Sequence, residues 1–369
     1  MPSPSSLTSS LRAPFGLSLW TVLAPFLAVL AIAIGKPEHW TSTVILAVLL
    51  GAVIMAAVYH AETIAHYLGE PFGTLTLALA VTVIEVSLIV SIMLTEGAQA
   101  QALARDTLIA AIMITINGMV GICLLAGGRR HYEQAYTQSG VSAGLALLAT
   151  LSVLTLILPN FTTSAQGAFY SNQQLLFVAA VSLIIYATFV VAQTMRHRDH
   201  FVHAIEGADD YAHEGPVSRT TAAASGMFLL VALCGVVALA KNLSPVIEQG
   251  VSEMGAPRAL VGIIIASLVL APEGFAALRA ARANRVQTSL NLAIGSALAS
   301  IGLTIPAVAI VALLLGLELE LGLSMRSIVI LALTLLVATI TLGSGRTTIV
   351  QGVIHLVIFA TYLFTTIFP

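Results

Sequence analysis

Charge is what this chain lacks most. Of its 369 residues only 9% are Asp, Glu, Lys or Arg, against roughly 25% in soluble domains. An ordinary water-soluble globule is excluded. The formal net charge is −2 and there is no basic patch, which removes the electrostatic footprint of a nucleic-acid binder. Cysteine is scarce as well. Cys123 and Cys234 each lie in an apolar run with no metal-ligand spacing, so both read as buried structural thiols. No GxxxxGK[ST] loop is present, so ATP-driven transport is not expected. The opening MPSPSSLTSSLRAPFG has no short apolar core followed by a small-residue cleavage site, so the first span is expected to be retained.

Apolar residues fill the room that charge leaves. They make up 58% of the chain, the mean hydropathy is +0.99, and runs of the ~20 residues needed to cross a bilayer recur from end to end. The reading is an all-α polytopic membrane protein of about eleven transmembrane helices. The spans are expected at 17–34, 42–66, 72–95, 106–127, 140–159, 174–194, 222–242, 258–279, 288–315, 327–342 and 348–368. Gly, Pro, Asn and charges punctuate the cuts, as in GKPEHW, GGRRHYEQ and LPNFTT.

Orientation follows from the arginines. With the N-terminus in the cytoplasm, the inner segments hold Arg12, Arg129, Arg130, Arg196, Arg198, Arg219, Arg279, Arg282, Arg285 and Arg346. The outer side holds only Lys36, Arg105, Lys241, Arg258 and Arg326. The positive-inside rule therefore predicts a cytoplasmic N-terminus and a C-terminus on the far side. The longest polar segment, 195–221, is an acidic connector that also carries His197, His200, His203 and His213. It reads as a solvated cytoplasmic linker, with cation or proton sensing as the alternative.

An N-terminal extra helix (1–41) set aside, the spans form two groups of five, 42–194 and 222–369, on either side of that connector. Each group carries a carboxylate inside an apolar span: Glu85 in GTLTLALAVTVIEVSLIVSIML and Glu273 in VGIIIASLVLAPEGFAALRAARANR. An ionised side chain at that depth is a functional-site hypothesis by default. Glu85 follows Pro71 by 14 residues and Glu273 follows Pro257 by 16. Downstream, 106–121 aligns without gaps to 291–306, setting Ala111 against Ser296 and Thr115 against Ser300. An odd number of spans per group inverts the second group relative to the first, the architecture of many secondary transporters. Glu85 falls about ten residues from the end of its span, or about 15 Å, near the middle of a ~30 Å core.

Two carboxylates supply at most four oxygens, whereas Ca²⁺ takes about six to eight. Hydroxyls and carbonyls must provide the rest. Pro272 has no N–H and so frees the carbonyl of Leu268 four residues earlier. Thr82 sits one turn before Glu85; Ser296 and Ser300 share a helix face with Asn291 and Thr304 nearby; Thr115 and Asn117 are the candidates in the first group. With the cation gone, two close carboxylates repel and their proton affinity rises, so protons replace the cation. Cation/proton exchange follows, with no cofactor required. His60 and Glu62 near the inner end of span two are candidates for a proton path, with interfacial snorkelling as the plainer account, and Glu70 is a candidate gate at the inner mouth, with simple solvation as the alternative. His355 reads as a helix-packing histidine, Asp106 as an acid at a helix start, and Glu318 and Glu320 as solvated. Ser344 lies in a short inter-span turn, eleven residues from His355, which argues against a hydrolase pair.

LGEPFGTLTLALAVTVIEVSLI, LAPEG, NLAIGSALASIGLTIP and GSGRT resemble the bacterial ChaA-type calcium/sodium–proton antiporters, a branch of the cation/proton exchanger (CAX) family within the cation/calcium exchanger superfamily. The resemblance runs over essentially all of the chain after the first span. It implies a multi-pass inner-membrane exchanger of ten core helices in two inverted repeats plus one N-terminal helix. It implies that Ca²⁺, and in this branch Na⁺ or K⁺, leaves the cytoplasm against protons, with the acidic ligands on Glu85 and Glu273. Where the superfamily commonly has Gly-Asn-x-x-Glu, this chain has AVTVIE and VLAPE. The expected partners are inorganic cations, protons and the lipid bilayer, with further copies of the chain left open. The competing reading is a passive cation channel with an acidic pore. Such pores are usually closed by oligomeric symmetry, whereas this chain carries its own repeat.

Overall fold

The structure, a computed structural model, describes residues 17–31, 39–69, 72–196, 217–253, 255 and 257–368. It is built from helices in the expected order: α1 (Leu19–Ala31), α2 (Trp40–Leu68), α3 (Phe72–Glu96), α4 (Leu103–His131), α5 (Gln138–Phe161), α6 (Asn172–Arg196), α7 (Arg219–Glu253), α8 (Ala259–Arg282), α9 (Val286–Leu315), α10 (Met325–Thr341) and α11 (Ile349–Ile367). Among the described residues, nine are long and apolar enough to cross a membrane, and α1 and α10 are shorter apolar helices. The connector lies almost entirely outside the described residues. One span departs from its expected length. α7 runs on through Lys241 and Pro245 to Glu253, where a loop was expected after residue 242. Leu243 and Val251 are buried there, so apolar packing continues along that stretch.

The chain divides into two compact units, each drawing on both of its halves. The first holds α1, α2, α3 as far as Ser91, and α7 as far as Gln249; the second holds the rest. In the first unit α1 lies along α2. Gly235 of α7 packs so closely that a Cβ there would stand 2.9 Å from Ala28 Cβ. Leu17, Ala224 and Phe228 form a small buried cluster, with Val22 and Tyr59 against it.

In the second unit α4 and α9 are the most enclosed spans. α4 packs chiefly on α8 and α11, and α9 chiefly on α6, α4 and α8. Glycines set the close crossings. A Cβ on Gly352 would stand 2.7 Å from the Leu125 nitrogen, and one on Gly302 would stand 2.6 Å from Tyr186 Cβ. Small residues of this kind let helix backbones approach where no hydrophobic drive holds helices together. α4 also carries a wide turn, a π-helical stretch over Met113–Met119.

Each end of this unit is closed by a clasp of three loops. At the Arg346 end, β1 (Gln134–Ala135) after α4 pairs antiparallel with β2 (Arg346–Thr347) before α11. The Gln134 amide also donates to Ala281 O (3.1 Å) and Asn284 Oδ1 (2.9 Å), where α8 turns into α9. At the Arg105 end, Glu320 after α9 bridges antiparallel to Phe169 before α6. The Glu320 nitrogen donates to Gln101 O (3.1 Å), just before α4. α4 and α6 therefore run from the Arg105 end to the Arg346 end, and α9 and α11 run the other way.

Candidate ion-binding site

Glu85 lies midway along α3 in the first unit, with 2% of its surface exposed. Thr82, one turn earlier, is buried and donates its hydroxyl hydrogen to Ala78 O at 2.8 Å. This leaves lone pairs on the oxygen. Glu273 belongs to the second unit. It is half-buried in α8 directly after the buried Pro272, and its Oε2 atom is enclosed. α8 continues straight through Pro272, so the Leu268 carbonyl lacks its intrahelical donor.

The remaining expected ligands lie in the second unit. On α9, Ser300 and Thr304 are buried and Ser296 and Asn291 half-buried. Asn291 Oδ1 accepts from Gln287 Nε2 at 3.0 Å, and Gln287 Oε1 in turn accepts from the Thr137 nitrogen at 2.6 Å. This ties Asn291 to the Arg346-end clasp. On α4, Thr115 is fully buried with its hydroxyl turned to Ala111 O at 2.7 Å. Asn117 is engaged at both ends of its amide. Nδ2 donates to Thr334 Oγ1 (2.8 Å) and lies 3.4 Å from Met113 Sδ, while Oδ1 meets His355 Nδ1 at 3.0 Å. Thr334 and Thr341 went unnoticed in the sequence. Their signal was two hydroxyls seven residues apart on one face of α10.

His60 does not snorkel. It is fully buried, stacked on Phe228 with ring centroids 5.4 Å apart, and its Nε2 lies 3.1 Å from Thr21 O. The cause is Pro25, which cannot supply the N–H that Thr21 O would receive inside α1. His60 Nε2–H takes that place and fixes the ring's tautomer. Glu62 is exposed on α2, and Glu70 lies outside the described residues.

Other expectations are corrected. Glu320 is not simply solvated: Arg105 NH1 donates to it, and Arg105 Nε donates to Asp106 Oδ1 at 2.9 Å. Glu318 accepts from Gln101 Nε2 at 2.7 Å. Asp106 stands in the first turn of α4, as expected of an acid at a helix start, with Ala102 in the cap position. Cys123 is buried as expected, but Cys234 is exposed on α7. In a membrane helix an apolar face can point outward, so an apolar surrounding does not imply burial. Among the described residues no three His, Cys, Asp or Glu side chains gather into a metal cluster.

The profile of the sodium/calcium exchanger protein family matches two stretches, 38–195 and 225–368. A putative ionic transporter y4hA of Sinorhizobium fredii is 43% identical over 357 residues, covering 95% of this chain and 96% of its own. The sodium-potassium/proton antiporter ChaA of Escherichia coli K12 is 36% identical over 353 residues, covering 94% and 95%. The crystal structure of an H⁺/Ca²⁺ exchanger, CAX, superimposes with a TM-score of 0.71 at 17% identity, covering 93% of this chain and 86% of that one, and shows the shared fold. The chain thus belongs to the sodium/calcium exchanger family and stands among the ChaA-type cation/proton antiporters, which are transporters and not enzymes.

Proposed function

We propose that this protein is a secondary antiporter of the bacterial inner membrane. It exports Ca²⁺, or else Na⁺ or K⁺, in exchange for protons by alternating access, with Glu85 and Glu273 carrying cation and protons in turn. The E. coli relative, a sodium-potassium/proton antiporter, speaks for Na⁺ and K⁺, and the CAX protein, an H⁺/Ca²⁺ exchanger, speaks for Ca²⁺. The observation that carries the reading is the pair of mid-span carboxylates, Glu85 with 2% exposure and Glu273 with an enclosed oxygen. An acidic side chain at the centre of a membrane helix costs roughly 2.5–3.5 kcal/mol on insertion scales. Such a cost is sustained where function requires the charge.

The proposed oxygen donors are the hydroxyl of Thr82 in the first unit and, in the second, the hydroxyls of Thr115, Ser296 and Ser300, the side chain of Asn291 and the carbonyl of Leu268. Asn117 stays a candidate donor as well, its amide also bonding Thr334 and His355. Glu62 remains the candidate for the proton path, whereas His60 serves as the clamp on α1. An inverted repeat is supported by three observations. α4 and α6 run opposite to α9 and α11. The loops of one clasp are the counterparts, group for group, of the loops of the other. The two stretches matched by the family profile fall on the two groups of five spans.

The test is Glu85→Gln and Glu273→Gln in reconstituted vesicles. Each is expected to lower cation/proton exchange at least about 100-fold, the upper range of the effect of outer-shell substitutions at metal sites, while expression and thermal unfolding stay near wild type. Wild-type exchange in either variant would remove the two-carboxylate site.

A further inference from the structure

The Arg346 end of the second unit presents its positive charge outward. Arg129 and Arg130 stand in the last turn of α4, Arg279 and Arg282 in that of α8 and Arg196 in that of α6, all exposed, with Arg346 exposed in β2. Among the described residues Glu133 is the one acid in the loops and last turns of this end, and it pairs with Arg346 at 3.4 Å. The Arg105 end is different. There Arg105 lies between Asp106 and Glu320, and Arg326 donates to Thr365 O.

The last turns of α4 and α8 are joined without their arginines. A helix end leaves carbonyls without intrahelical donors, and basic side chains often serve them. In α8 other groups have taken these carbonyls. Gln134 Nε2 donates to Ala281 O (3.1 Å) and His131 Nε2 to Arg282 O (3.0 Å), both from the end of α4. The Ala283 nitrogen serves Arg279 O and Ala280 O, each at 3.1 Å. The two turns lie side by side, since a Cβ on Gly127 of α4 would stand 3.4 Å from Ala281 O. Among the described residues the guanidinium groups of Arg129, Arg130, Arg279 and Arg282 have no hydrogen bond or ion pair.

Each of these helices continues its charge into an apolar face. Phe275, Arg279 and Arg282 fall at i, i+4 and i+7 of α8, and Ile122 and Arg129 at i and i+7 of α4, so each set shares one side of its helix. Phe275 is 62% exposed and Ile122 47%. At 1.5 Å per residue Phe275 lies about 6 Å from Arg279 along the axis, and Ile122 about 10 Å from Arg129, both toward mid-span. Cationic groups at the helix ends with apolar side chains below them match the two parts of a phospholipid.

We propose that the joined last turns of α4 and α8 bind one anionic phospholipid, its phosphate held by Arg129, Arg130, Arg279 and Arg282 and its chains lying along Ile122 and Phe275. Arginine's planar fork takes phosphate oxygens two at a time, and basic pockets between membrane helices bind acidic headgroups. A soluble phosphate would use the arginines and leave the apolar side chains idle. A zwitterionic lipid would bring its own cation to a cationic site. The anionic lipid uses both halves of the surface. Neither glutamate belongs to this site, which does not rest on the antiport reading.

The test is a lipid titration of the full-length protein in detergent, read by native mass spectrometry, with palmitoyl-oleoyl phosphatidylglycerol beside phosphatidylcholine of the same chains. Each arginine at a charged headgroup is worth about fivefold in affinity, so wild type should bind the first phosphatidylglycerol at least about tenfold more tightly than phosphatidylcholine. Replacing two of them, as Arg279→Gln with Arg282→Gln, should weaken phosphatidylglycerol by at least about tenfold. Arg129→Gln with Arg130→Gln should do the same and serves if the first variant does not fold. As a control, Arg196→Gln with Arg346→Gln removes equal charge from the same end. Exposed charges that do not touch the lipid are screened by salt, so this variant should stay within about twofold of wild type. Equal binding of the two lipids by wild type, or equal losses in the control and the test variants, would overturn the site. Unchanged binding in both test variants would also overturn it and leave these arginines to the acidic connector. Displacement of the lipid by an equal concentration of glycerol 1-phosphate would overturn it in favour of a soluble phosphate.

Discussion

Proline removes a hydrogen-bond donor from a helix, and inside a membrane the orphaned carbonyl has no water to turn to. Pro25, Pro245, Pro272 and Pro306 all lie inside helices, and two of them show different outcomes. Pro25 orphans Thr21 O, and His60 from α2 fills the gap at 3.1 Å. Pro272 orphans Leu268 O next to Glu273, and there the carbonyl is a candidate ligand. His60→Leu should therefore loosen α1 by about 1–3 kcal/mol, the cost of an unpaired buried polar group, seen as a lowered unfolding midpoint and faster proteolysis of the first span. Exchange by the rest of the bundle should persist. An undiminished midpoint would show that the bond to Thr21 does not hold α1. At this scale the sequence showed half of each case. Pro272 and Glu273 are neighbours, so the freed carbonyl was readable. The partner of Thr21 lies 39 residues away, and a lone histidine in an apolar run gives no sign of which carbonyl it serves.

Helix positions were legible because twenty-residue apolar runs leave little choice of structure. What sequence did not show is the interior of α4. Met113–Met119 reads as an unbroken helix, yet it widens into a π turn, and nothing local signals that Asn117 will be claimed by Thr334 and His355 from two later spans. Nor did α7 announce its length, since the span was expected to end at residue 242, yet Pro245 is accommodated inside the helix. Two predictions belong here. Gly352→Leu forces a branched side chain onto the Leu125 backbone, where even a Cβ would stand at 2.7 Å. It should destabilise the α4–α11 crossing by about 1–3 kcal/mol, the range of core overpacking. At the other end, Arg105→Ala leaves Asp106 and Glu320 without their shared cation. These groups are partly exposed, so the expected loss is about 1 kcal/mol, within the range for exposed pairs. Both losses are read as shifts in thermal unfolding in detergent, and neither substitution removes a proposed ion ligand.

Taken whole, the succession of membrane helices was readable in outline because apolar runs recur from end to end, and the inverted pairing of the two groups stays the proposal that two acidic spans and an odd number of helices per group support. The closing of each end was not readable. Gln134 and Glu320 play matching parts in the two clasps, Gln134 bonding across to the α8–α9 turn and Glu320 to the segment before α4. Their surroundings in sequence, HYEQAYT and GLELELG, share no pattern that would pair them. The arginine bias predicts that reporters fused at the N-terminus face the cytoplasm and those at the C-terminus face the other side. The central claim, exchange of a cation for protons, is tested most directly in acidified inside-out vesicles to which Ca²⁺, Na⁺, K⁺ and Mg²⁺ are added in turn while internal pH is followed, wild type beside Glu273→Gln. The account predicts a rise in internal pH triggered by one or more of these cations and lost in the variant. Cation movement with no counter-flow of protons would contradict it and leave a passive channel in its place.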